Sequence, residues 1–140
     1  MATVEVTFTP LPAHVRTARL VATAVARRSG VDEALLDEVR LAVGEACSRA
    51  VEAHRRHCPA EPVRIEMTDA DERFVVTVSD HAPTPPASPL APVRDQEGGA
   101  AIPAGFGLAV ISGLADDVRV SSTSSGVSVR MSWPSAAAPA

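Results

Sequence analysis

The 140 residues predict an α+β fold, a two-layer α/β sandwich with helices on one face of a mostly antiparallel sheet. Three observations carry this. Short segments alternate apolar and polar residues with period two, longer ones repeat apolar residues every three or four positions, and the two kinds run in the order strand, helix, helix, hairpin, loop, helix, hairpin. A chain of this length makes one domain with a real core, and residues 1–133 carry the pattern.

The elements follow in order. Val4, Val6 and Phe8 alternate, which predicts a strand over residues 3–8. Val15, Ala18, Ala22 and Val25 share one face of a helix that begins near Pro12 and stops at Ser29–Gly30, leaving Arg16, Arg19 and Arg27 for solvent or a partner. Asp32 is the expected N-cap of a second helix that buries Leu36, Val39, Val43, Cys47 and Ala50 and runs to about Arg55. The basic cluster His54-Arg55-Arg56-His57 complements the dipole at its end. Val63-Ile65-Met67 and Phe74-Val76-Val78 read as two strands joined by a turn at Asp69-Ala70-Asp71-Glu72. Residues 81–104 hold six of the twelve prolines plus Gly98–Gly99 and have no apolar period, so an irregular, mobile loop is expected there. Leu108, Ile111 and Leu114 then mark a short amphipathic helix within GFGLAVISGLADD. Val118-Val120 and Val127-Val129-Met131 form a last hairpin around Ser124-Ser125-Gly126, and residues 134–140, rich in Ala and Pro, read as a disordered tail.

Composition excludes several function classes. Apolar residues make up 46% and charged residues 21%, while aromatics are only 3% and Tyr is absent, so the core is aliphatic. A formal net charge of −4 leaves no broad basic footprint for nucleic acid. No run of about 18 apolar residues and no signal pattern are present, which predicts a soluble, cytoplasmic protein with no membrane contact. Two cysteines, Cys47 and Cys58, are too few for a disulfide scaffold and suit a reducing compartment. His54, His57 and Cys58 lie close together, but their spacing fits no closed zinc pattern.

Three stretches carry chemistry. VGEACSRAVEAH, Val43 to His54, sets the carboxylate of Glu45 and the guanidinium of Arg49 four residues apart, either as a helix-surface ion pair or as part of a nucleotide site. Asp80 ends the strand in VSDHAPT, where a carboxylate caps a turn or accepts from an amino group such as that of adenine. Gly105 and Gly107 leave N–H groups unobstructed at a helix start, which serves as turn chemistry or as a phosphate cradle.

In this order, LLDEVRLAVGEACSRAVEAH, VSD and GFGLAVISGLADDV resemble the signature of bacterial anti-sigma factor kinases over residues 3–132. These are single-domain members of the superfamily of histidine kinase and Hsp90-type ATPases, with the Bergerat-type fold. The resemblance implies that Glu45 is the general base toward a serine of a partner protein. It implies that Asp80 reads the adenine amino group, and that Gly105, Gly107 and Leu108 form the phosphate-side box beside residues 81–104 as an ATP lid. In the same family the first helix contributes to subunit pairing and sigma-factor contact, which singles out Arg16 and Arg19.

Two departures change the expected chemistry. The family's Mg²⁺-holding asparagine is Arg49 here, and the glycines after the adenine aspartate are Ala82 and Thr84. A cation facing a divalent ion is repelled by about 8 kcal/mol at a separation of ~4 Å and an effective dielectric of roughly 20. Phosphoryl transfer in such a site relies on the metal to neutralise charge. The expectation is therefore Arg49 folded back on Glu45, with no Mg²⁺ in the usual place and ATP in doubt; direct contact of Arg49 with a phosphate is the second arrangement. The functional expectation is a sigma-factor-sequestering regulator, a homodimer released by a STAS-type antagonist without efficient kinase activity. The alternative is an active ATP-dependent serine kinase that phosphorylates that antagonist.

Overall fold

The computed structural model describes residues 2–82 and 110–135. Strand β1 (Ala2–Phe8) leads into α1 (Pro12–Arg28) and, through a 3-10 turn at Glu33–Leu35, into α2 (Leu36–His57). The hairpin β2 (Val63–Ala70) and β3 (Arg73–Ser79) follows. Residues 110–114 are helical, and β4 (Asp117–Thr123) with β5 (Gly126–Pro134) closes the described chain. Gly105, Gly107, Leu108, Thr84 and nearly all of the predicted lid, from residue 83 on, lie outside the described residues.

The strands join in the order β1-β2-β3-β5-β4, with every neighbouring pair antiparallel. Because side chains alternate across a strand, one face of the sheet collects Val63, Ile65, Met67, Phe74, Val76, Val78, Val127, Val129, Met131 and Trp133, all buried. Thr, Ser, Arg and Glu dominate the other face, as in the cross-strand row Glu5, Glu66, Thr77, Arg130 and Arg119. The helices therefore cover one face only, as the α+β pattern required.

Small residues set how the helical layer sits. Ala18, Ala22 and Ala26 of α1 and Ala42, Ala46 and Ala50 of α2 are all buried, so the helices approach closely without aromatic filler. Val25, expected on that face, is only half-buried, and Ala26 takes the inner position. α2 packs in turn on β2 and β3. At the sheet's far end Phe74 and Trp133 stack at 6.3 Å, and Trp133 Nε1 donates to Leu114 O at 3.1 Å, tying the 110–114 helix to β5.

Two boundaries differ from the sequence reading. Asp32 caps the 3-10 turn, accepting from Ala34 N at 2.8 Å, so α2 itself starts at Leu36. β5 runs through Pro134, which pairs with Arg73, and Ser135 N donates to Glu72 O at 2.9 Å. The last strand thus includes Pro134, held beside the β2–β3 turn by the Glu72 carbonyl, while residues 136–140 of the expected tail lie outside the described residues.

Candidate functional site

The site grows from the end of β3. Asp80 follows Ser79 and is buried, with its side chain only 1% exposed. Its main chain is bonded to β5, with Asp80 N donating to Val127 O at 2.9 Å. Its Oδ1 accepts from Ala82 N at 3.1 Å and from Val127 N at 3.2 Å. Gly126 makes this docking sterically feasible: a Cβ there would stand 2.1 Å from Asp80 O, and its φ is +155°. The turn glycine of the last hairpin is thus also the floor of the site.

The second oxygen of Asp80 belongs to Arg49. Arg49 Nη2 donates to Asp80 Oδ2, with the arginine side chain 17% exposed. This corrects the expected fold-back of Arg49 on Glu45. Arg49 lies in the middle of α2 facing β3, and a buried carboxylate attracts a guanidinium far more strongly than a carboxylate at the helix surface does. Arg49 Nε is buried and has no hydrogen-bond partner among the described residues. Glu45, one turn earlier, is half-buried and has no hydrogen bond or ion pair among the described residues.

Below Asp80, His54 fixes the surrounding backbone. Its ring is fully buried, with Nδ1 2.8 Å from Glu61 O and Nε2 accepting from His81 N at 2.8 Å. These partners put the ring proton on Nδ1, so His54 is a backbone staple between the α2–β2 connection and the end of β3. The expected packed, hydrogen-bonded histidine is what the structure contains. Cys58, nearby, is a free thiol whose pKa is raised, chiefly by burial and further by the carboxylates of Glu61 and Asp80.

Arg16 and Arg19 lie elsewhere. With Pro12, Val15, Ser48, Val51 and Glu52 they line a groove of about 390 Å³ between α1 and α2. Arg16 is exposed and Arg19 half-buried, and neither has an ion pair among the described residues. Arg19 crosses α2 directly over Gly44, where a Cβ would meet its Cδ at 2.6 Å. Helical spacing puts Glu45 between this groove and the Arg49–Asp80 pair, since Ser48 and Glu52 follow it by three and seven residues.

Sequence reasoning missed two supports of the site. Gly44 seats Arg19, and the signal was a glycine within a helix, which costs about 1 kcal/mol and so asks for a packing reason. Gly126 seats Asp80, a contact between residues 46 positions apart that no local pattern announces.

The five-stranded antiparallel sheet with its helices on one face is the α+β arrangement of the histidine kinase-like ATPase fold, and Asp80 is a buried carboxylate at the end of its central strand. The model of that family, described as the histidine kinase-like ATPase domain, matches residues 8–133, and the chain belongs to it. The superfamily of histidine kinase-like ATPases implied by the three sequence motifs is thus the one the family model gives. A solved structure similar to this chain is that of the RsbU and RsbW domains of Rv1364c from Mycobacterium tuberculosis, with a TM-score of 0.67 and 16% identity. The likeness covers 99% of this chain and 35% of that one, so this chain spans about a third of that structure's length. No curated protein matches the sequence.

The residues fit the family's cofactor poorly. A magnesium ion held at the asparagine position would face the Arg49 guanidinium, and an adenine amino group would find Asp80 already bonded to two backbone N–H groups and one arginine.

Proposed function

We propose that this protein is a regulator that binds and sequesters a sigma factor and is released by a STAS-type antagonist, without efficient phosphoryl transfer. The observation that supports this is the Arg49–Asp80 pair: on the roles the resemblance implies, it occupies the carboxylate that would read the base and brings a guanidinium to where the family's asparagine would hold Mg²⁺. The scaffold around it is intact, and the α1–α2 groove, floored by the buried Val15 and Val51, offers a partner surface two arginines without ion pairs among the described residues. Such a partner would be acidic, anchored by Arg16 and Arg19. On this reading the protein acts in the cytoplasm as a homodimer.

The test is capture of the sigma factor by protein stripped of nucleotide and kept in chelator. A complex is expected without ATP, weakened at least several-fold by Arg16→Glu with Arg19→Glu at unchanged melting temperature. Loss of the complex whenever ATP and Mg²⁺ are omitted would sink the reading.

One observation favours the kinase alternative. Glu45 is unpaired among the described residues and partly exposed, so the base the resemblance implies is not blocked by Arg49. Transfer of labelled phosphate from ATP to the antagonist's serine, lost in Glu45→Ala, would establish that alternative in place of the first.

A further inference from the structure

We infer that Arg49 is an internal ligand of Asp80: its Nη2–H group stands in for a purine amino group and plugs the one carboxylate oxygen that a base would otherwise take. This rests on reading Asp80 as a base-reading carboxylate and not on sigma-factor capture.

Asp80 is placed without help from Arg49. Its main-chain N–H is bonded to Val127 O, its Oδ1 takes the N–H groups of Ala82 and Val127, and Gly126 lies against its carbonyl. The adjoining backbone is stapled independently by His54 through His81 N. Oδ2 is the oxygen left over, and Arg49 takes it.

Arg49, by contrast, is loosely committed. Of its five N–H donors only the Nη2 group reaches Asp80, its Nε has no partner among the described residues, and its side chain keeps access to solvent. The guanidinium and an aminopurine edge present the same planar N–H donor to a carboxylate oxygen. The guanidinium adds a positive charge, and a charge-assisted bond is about twice as strong as one from a neutral donor. A neutral base therefore cannot displace the plug, although it matches the oxygen beneath.

Adenosine is the probe, because it carries the base without phosphate and needs no metal. Calorimetric titrations of the full chain would compare wild type with Arg49→Asn and Arg49→Gln; the glutamine keeps a neutral donor for Asp80 and so guards against a variant that fails to fold. The expected result is that a folded Arg49 variant binds adenosine about tenfold or more tightly than wild type does. Adding Asp80→Asn should abolish that gain. Equal affinity in wild type and the folded variants, whether all bind or none does, would overturn the inference. Sigma-factor capture by the same proteins reads the proposed function separately, since either result there leaves the adenosine comparison intact.

Discussion

Among single residues, glycines mark where the backbone comes closest to something else. Gly126 closes the β4–β5 turn, but its contact with Asp80 O is what forbids a side chain. We predict that Gly126→Ala lowers the free energy of unfolding by about 2 kcal/mol or more, since backbone must move to admit the methyl group. Gly113 supplies the control. It lies in the 110–114 helix, and a methyl group added there would meet nothing within 4 Å among the described residues, so Gly113→Ala should be neutral or stabilise by about 0.5–1 kcal/mol. Urea unfolding of the two variants would check both signs, and equal effects would remove the steric role assigned to Gly126.

At the level of elements, the β2–β3 hairpin is tighter than its sequence suggests. The predicted turn spanned Asp69 to Glu72, whereas pairing continues to Ala70↔Arg73 and leaves a two-residue loop at Asp71–Glu72. Both residues have positive φ, 56° and 60°, the geometry of a type I′ turn. Neither aspartate nor glutamate favours that region as Asn-Gly does, so strain is stored in the turn. Replacing the pair by Asn-Gly should raise stability by about 0.5–1 kcal/mol and preserve the Ser135 N–Glu72 O bond, because that bond uses only backbone. Denaturant midpoints measure the gain, and a lower midpoint would show that the acidic side chains contribute more than the strain costs.

For the molecule as a whole, Cys47 couples global stability to alkaline pH. It is wholly buried on α2, and burial pushes its thiol from an ordinary 9.0 up to about 12. The folded pKa lies above the unfolded one, so the contribution is fully present below pH 9.0 and is lost as pH rises toward 12. Within that window the unfolded chain releases a proton that the folded chain keeps, giving a slope of about 1.4 kcal/mol per pH unit. Lysine and tyrosine are both absent, so Cys58, whose pKa is also raised, is the other side chain that titrates there. Unfolding stability between pH 8 and 11 should fall in wild type and fall less steeply in Cys47→Ala, where only Cys58 remains; parallel curves would rule Cys47 out as the cause. The elements and the family were legible along the chain, because periodicity and capping are local and because Glu45, Asp80 and the predicted phosphate box stand in a recognisable order. The buried face of α2 was legible too, at Leu36, Val39, Val43 and Cys47, where one residue per turn repeats the same environment. Which carboxylate Arg49 meets was settled by the packing of α2 on β3 alone. Glu45 is its neighbour along the helix and Asp80 is 31 residues away, yet Asp80 is buried in a low-dielectric position where a charge requires a partner, and Glu45 keeps access to water.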